Sequence, residues 1–246
     1  MSLRSHPSLV NAISDHAVGP PDRVSAAYPR LVPVDVANLR TGSTANAVRR
    51  ERLIVVLRRI EPRSRLVELV GELADAGVCL FEVTFDGDDA ADDLVAVREQ
   101  VALHGGVVGA GTIRTATQLE AAIAAGATFG VSPVFDPAIV EAALRAGLPF
   151  VPGASTPTEA DAAWRCGATF VKLFPASSLG PSFVRELRGP LPEIETIATG
   201  GVELVNAASF LEAGAVAVGL GSAIVRATPA QRRGLIAAIA AAGGPR

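Results

Sequence analysis

Lysine is almost missing from this chain. Of its 22 Lys and Arg residues 21 are arginine, and the single lysine, Lys172, lies inside the run Thr-Phe-Val-Lys-Leu-Phe-Pro at 169–175. Aromatic residues are scarce too, with 9 Phe, 1 Tyr and 1 Trp, so the core has to be built from Ala, Val, Leu and Ile. The formal net charge of −3 leaves no basic footprint for nucleic acid and no polybasic patch for a membrane surface. No apolar stretch approaches the length of a membrane span, and the N-terminus lacks the basic start and apolar run of a secretion signal, so a cytoplasmic location is expected. The two cysteines, Cys79 in an expected strand and Cys166 at an expected helix end, read as small packing residues rather than a disulfide or redox pair. His6, His16 and His104 have no partner at a strand end, which argues against a histidine base and a metal site; no metal or cofactor is expected.

Organisation changes near residue 45. Residues 1–45 hold Pro7, Pro20, Pro21, Pro29 and Pro33 with no sustained period, and are expected to be an irregular or partly ordered extension, although 44–51 could form a short helix closing the bottom of the adjoining domain. From Leu53 short β-rich runs alternate with Ala/Leu-rich helical patterns. Strands are expected at 53–58, 79–84, 107–110, 128–131, 149–152, 169–173, 194–198 and 215–219. Helices are expected at 63–76, 89–103, 115–125, 136–146, 157–166, 180–188, 203–212 and 221–240, the last broken near Pro229. Ala-Gly pairs at 76–77, 125–126, 146–147 and 213–214 sit where helix-ending glycines belong. Eight strands alternating with eight helices indicate one (β/α)8 TIM barrel over residues 46–246. An open doubly wound sheet would want a Gly-x-Gly-x-x-Gly turn after the first strand, where Leu57-Arg58-Arg59-Ile60 stands instead.

In such a barrel the functional groups gather at the C-terminal ends of the strands. Arg58, Glu82, Thr84, Thr112, Ser132, Pro133, Ser155, Thr156 and Lys172 all fall at or near those ends. Strand alternation puts Glu82 and Thr84 on one face of Leu-Phe-Glu-Val-Thr-Phe (80–85) and Phe81, Val83 and Phe85 on the other. With the apolar face under the helices, Glu82 and Lys172 both point inward. Burial disfavours a charged ammonium, which turns Lys172 into an amine able to form a Schiff base with a ketone. The competing structural readings are a lysine that snorkels to solvent and a glutamate held in an ion pair with Arg58 or Lys172. After strands 7 and 8 come Thr199-Gly200-Gly201 and Gly219-Leu220-Gly221-Ser222, where backbone N–H groups and a helix N-terminus can receive a phosphate.

These residues in this order resemble the 2-keto-3-deoxy-6-phosphogluconate / 4-hydroxy-2-oxoglutarate aldolase family. The resemblance runs from about Leu53 to Val225 through Val-Leu-Arg (56–58), Phe-Glu-Val-Thr-Phe (81–85), Val-Gly-Ala-Gly-Thr (108–112), Val-Ser-Pro (131–133), Val-Pro-Gly (151–153), Val-Lys-Leu-Phe-Pro-Ala (171–176), Thr-Gly-Gly-Val (199–202) and Gly-Leu-Gly-Ser-Ala (219–223). It implies a class I aldolase in which Lys172 forms the Schiff base and Glu82 relays protons. Arg58 would hold the substrate carboxylate, Thr112 the pyruvyl part, and Gly200, Gly201, Gly221 and Ser222 the phosphate. Thr84, Pro133 and Phe174 complete the expected substrate-binding set. The implied reaction splits 2-keto-3-deoxy-6-phosphogluconate into pyruvate and glyceraldehyde 3-phosphate, in a homotrimer without metal. The alternatives are the galactonate epimer, 4-hydroxy-2-oxoglutarate, or a barrel that keeps only a phosphate-binding role. One departure stands out: many members carry an arginine four residues after the glutamate, and this chain has Asp86. Either the loop is solvated and Asp88 or Asp89 caps the next helix, or the substrate preference is altered.

Overall fold

The computed structural model of the chain describes residues 35–243, so most of the expected extension, residues 1–34, lies outside the described residues. The rest of that stretch is helical rather than irregular. Helix α1 (Val36–Thr41) starts at Asp35, whose carboxylate accepts from the Asn38 N–H, and α2 (Ser43–Glu51) comes directly after it. Six residues make less than two turns, too few to show a helical period in the sequence.

Strands and helices then alternate: β1 (Leu53–Leu57), α3 (Arg63–Asp75), β2 (Leu80–Thr84), α4 (Ala90–Ala102), β3 (Val107–Gly111), α5 (Ala116–Ala125), β4 (Gly130–Val131), α6 (Pro137–Arg145), β5 (Phe150–Val151), β6 (Gly153–Ala154), α7 (Pro157–Arg165), β7 (Val171–Leu173), α8 (Ala176–Arg188), β8 (Thr196–Thr199), α9 (Ala207–Glu212), β9 (Ala217–Leu220), α10 (Ser222–Val225) and α11 (Pro229–Ala241). The helices start where the chemistry of their first residues dictates. Thr115 with Gln118, Thr156 with Glu159 and Thr228 with Gln231 form reciprocal capping boxes, and Pro157 and Pro229 open their helices. The glycine of each Ala-Gly pair adopts the left-handed conformation after its helix. Within α8 the chain breaks at Gly180, ahead of Pro181, so the expected helix at 180–188 is preceded by one extra turn from Ala176.

All strand pairs are parallel, in the order β5-β4-β3-β2-β1-β9-β8-β7-β6. Nine segments replace the eight expected strands because Pro152 has no N–H and interrupts the ladder between β5 and β6. These two segments are one strand of the barrel. Its carbonyls still bond across, from the Thr169 N–H to Phe150 O and from the Lys172 N–H to Pro152 O, both 2.9 Å.

Inside the barrel, Ile54, Leu80, Phe129, Val131, Val151, Phe170 and Ile197 pack together with Ala45, Ala47 and Val48 of α2. Helix α2 therefore closes the lower end, as its sequence suggests. Each large side chain buried there stabilises the fold by about 1.5–3 kcal/mol. This packing also fixes the direction of everything above it. With Leu80 inward, Glu82 and Thr84 share the interior face; with Phe170 inward, so do Lys172 and Phe174; with Ile54 inward, Val56 and Arg58 do the same. One buried cation secures the last elements. Arg232, 4 % exposed, donates to Glu72 on α3 and to the Ile224 and Val225 carbonyls at the end of α10.

Candidate active site

Lys172 occupies the middle of β7, in register with Ile197 on one side and Gly153 on the other. It is 4 % exposed, which rules out a side chain that snorkels to water. Among the described residues no hydrogen bond reaches its Nζ, which lies 5.1 Å from the centroid of the Phe174 ring. Burial holds its pKa below the ordinary 10.5; the negative charge of Glu82 opposes this, and the positive charge of Arg58 adds to it. Both charges act on the amine because both side chains share its interior face.

Glu82 occupies the middle of β2 and is 3 % exposed, with Oε1 buried and unpartnered. A buried carboxylate oxygen without a donor is costly, and here it is an acceptor aimed into the barrel. Its place depends on Gly111. A Cβ at that position would lie 1.9 Å from Glu82 Oε1, so the second glycine of Gly-Ala-Gly-Thr exists to leave room for the carboxylate. No salt bridge forms between Glu82 and either Arg58 or Lys172 among the described residues, so the competing reading of Glu82 as half of a structural ion pair is not realised.

Around this pair the rim is crowded. Arg58 donates from Nη1 to Asp86 Oδ2 at 3.0 Å and from Nη2 to Thr112 Oγ1 at 3.2 Å. Thr112 has φ 59°, an unfavourable left-handed conformation for a β-branched residue, and Arg59 has φ 46°. Among the described residues two of the three left-handed non-glycine residues thus lie at the rim, and the third, Arg52 at φ 61°, caps α2 at the closed end. The Thr84 hydroxyl donates to Leu57 O at 3.4 Å, joining the ends of β1 and β2. Pro133 packs over Gly153, where a Cβ would come within 2.2 Å of the Pro133 carbonyl oxygen. Asp86 is half-buried against Arg58, whereas Gly87, Asp88 and Asp89 are exposed, as the solvated-loop reading of the sequence anticipated. Asp89 does stand at the N-cap of α4, but its side chain makes no capping bond. Its backbone, at ψ 12°, lacks the extended geometry that aims a cap at the helix.

On the other side of the mouth, Gly200 and Gly201 turn with φ 93° and 71°. Side chains there would collide with the Phe174 ring and with Ser177 Oγ, so Phe174 packs against both Lys172 and the glycine loop. Ser222 is exposed, and Arg226 lies one helical turn further on, its Nη2 3.5 Å from Ser222 Oγ. Helix α10, which Ser222 opens, is a single turn of four residues, shorter than the helix expected there. The sequence reading missed Ser177, Arg226 and the partnership of Arg58 with Asp86. The four-residue spacing of Ser222 and Arg226 was a usable signal; nothing local marks the Arg58–Asp86 pair, which spans two strands.

Elsewhere the cysteines are free and part-buried, and burial raises both thiol pKa values. Trp164 packs under the Arg40 guanidinium, 3.5 Å from the ring centroid. His104 lies 3.9 Å from Asp75 at the closed end of the barrel, while His6 and His16 lie outside the described residues. Among those residues no group of three His, Cys, Asp or Glu could hold a metal ion, and no helix is long and apolar enough to cross a membrane.

Residues 44–241 match the family described as "Aldolase: KDPG and KHG aldolase". A probable 2-dehydro-3-deoxy-6-phosphogalactonate aldolase of Rhizobium meliloti is 37 % identical over 71 % of this chain and 82 % of its own length. A 2-dehydro-3-deoxy-phosphogluconate aldolase of Treponema pallidum is 37 % identical over 64 % of this chain and 73 % of its own. A crystal structure of a 4-hydroxy-2-oxoglutarate / 2-dehydro-3-deoxyphosphogluconate aldolase from TTHB1 superimposes with a TM-score of 0.73 at 29 % identity, covering 80 % of this chain and 99 % of that one. A barrel with a buried amine and a buried carboxylate on its inner face, matched along most of its length by aldolases, belongs to the KDPG and KHG aldolase family and is a carbon–carbon lyase.

Proposed function

We propose that this protein cleaves a 2-keto-3-deoxy-6-phospho sugar acid, 2-keto-3-deoxy-6-phosphogluconate, to pyruvate and glyceraldehyde 3-phosphate through a Schiff base on Lys172. The observation that carries this reading is the nearly complete burial of the only lysine in the chain, with its amine biased toward the neutral form. Lys172 Nζ attacks the C2 carbonyl, and loss of water leaves an iminium. Glu82 takes the proton of the C4 hydroxyl, the C3–C4 bond breaks, and its electron pair moves into the enamine as the aldehyde departs. Glu82 then returns the proton to C3, and water hydrolyses the second iminium to release pyruvate and the free amine.

In the same reading Arg58 and Thr112 receive the keto acid end, Thr84, Pro133 and Phe174 shape the space around it, and Gly200, Gly201, Gly221 and Ser222 receive the phosphate. The enzyme works as a cytoplasmic homotrimer. The galactonate epimer is a second reading, favoured by the identity to the Rhizobium relative. Borohydride reduction with labelled pyruvate tests the chemistry. Wild type is expected to retain label on Lys172 and Lys172→Arg to retain none, with aldol cleavage lost by at least about 10,000-fold. Label retained by the variant means that another residue is the nucleophile. A panel of phosphorylated 2-keto-3-deoxy acids then separates the two epimers.

A further inference from the structure

The positive charge of Arg58 acts on the Lys172 amine, and its two terminal nitrogens are already engaged, one by Asp86 and one by Thr112. Asp86 also draws in Arg59, whose Nε lies 3.6 Å from Oδ2 and whose Nη2 donates to the Asp86 backbone carbonyl. The second carboxylate oxygen, Oδ1, is buried without a hydrogen-bond partner. This carboxylate is therefore held against the rim by the fold, at the cost of one unsatisfied acceptor, rather than dissolved in water.

A keto acid carboxylate can still reach Arg58 through its remaining N–H groups, but it must share the guanidinium with a fixed anion. A second carboxylate on a short substrate finds both Arg58 and Arg59 occupied and meets the Asp86 charge. A distant phosphate escapes this conflict. Its loops come after β8 and β9, and β8 stands three strands around the barrel from β2, which carries Asp86 at its end.

We infer that Asp86 determines specificity, turning the site away from short dicarboxylic keto acids such as 4-hydroxy-2-oxoglutarate and toward substrates whose second anionic group is a remote phosphate. This rests on the aldolase reading above. The test compares cleavage of 4-hydroxy-2-oxoglutarate and of 2-keto-3-deoxy-6-phosphogluconate by wild type, Asp86→Asn and Asp88→Asn. Asp88 is exposed on the same loop and carries no salt bridge among the described residues, so its variant makes the same charge change without touching the Arg58 contact. Because the Arg58–Asp86 pair is partly exposed, at 55 % and 21 %, Asp86→Asn should raise kcat/KM for 4-hydroxy-2-oxoglutarate about threefold to fivefold, through KM. The phosphorylated substrate should change by less than about twofold and Asp88→Asn should match wild type. An unchanged ratio between the two substrates, or an equal response to Asp88→Asn, overturns the inference. Absence of pyruvate trapping on wild-type Lys172 instead removes the aldolase reading beneath it.

Discussion

The lower and upper halves of this barrel are built from the same strands with opposite chemistry. Leu80 and Glu82, Phe170 and Lys172, and Val56 and Arg58 are each two positions apart, and each step keeps the side chain on the inner face. Below, Ile54, Leu80, Phe170 and Ile197 interlock with α2. Above, a buried amine and an unpartnered carboxylate oxygen stand on the inner face, with left-handed Thr112 and Arg59 at the rim. Unpartnered buried polar atoms occur at both ends, Arg52 Nε and Thr196 Oγ1 below and Glu82 Oε1 and Asp86 Oδ1 above, so what sets the upper half apart is the ionisable Lys172 and Glu82 on its inner face. Stability is assigned to one end of each strand and chemistry to the other, and substitutions should separate cleanly along that line.

The largest effect short of losing the nucleophile belongs to the upper half. Glu82→Gln keeps the shape over Gly111 but cannot take up the C4 hydroxyl proton. Its kcat for cleavage should fall about 100-fold to 10,000-fold, while borohydride trapping of pyruvate slows without disappearing. A variant with near-normal kcat breaks the division, because the unpartnered carboxylate would then have no catalytic purpose. The lower half predicts the converse. Leu80→Ala removes a fully buried side chain from the interior cluster and should cost about 2–5 kcal/mol in denaturant unfolding. Its kcat per folded molecule should stay within about twofold of wild type, and a tenfold loss would mean that packing below Glu82 sets the geometry of the reaction.

The division was legible in the sequence wherever a strict period carried it. The alternation in Leu-Phe-Glu-Val-Thr-Phe and the lone Lys172 identified the two inward groups, and the order of strands and helices identified the barrel. Where the signal depended on the backbone or on distant pairs, the sequence was silent. Pro152 splits a strand without ending it, because its missing N–H breaks the ladder while its carbonyl still accepts from Lys172. Helix α1 is too short to declare itself. The Arg58–Asp86 contact joins residues 28 apart across neighbouring strands, and a run of aspartates looks the same in sequence whether it faces water or an arginine.

The smallest effect is the one most specific to the buried amine. The folded state holds the Lys172 pKa below its ordinary 10.5, so between that lowered value and 10.5 the unfolded chain binds a proton that the native barrel releases. Wild-type stability should therefore rise with pH across this window, by at most about 1.4 kcal/mol per unit, and lose that dependence above it. Lys172→Met, of similar length and without charge, removes the penalty at every pH. Its advantage over wild type should be greater at pH 7 than at pH 9.5, with a Tm gain of about 2–4 °C for each kcal/mol relieved. Loss of the lysine also deprives the Glu82 carboxylate of a counter-charge, but only to the extent that the amine is protonated, so this opposing effect fades over the same pH range. A difference between the two proteins that is constant with pH means the amine titrates as it does in water, and the upper half of the barrel then holds an ordinary ammonium rather than a nucleophile.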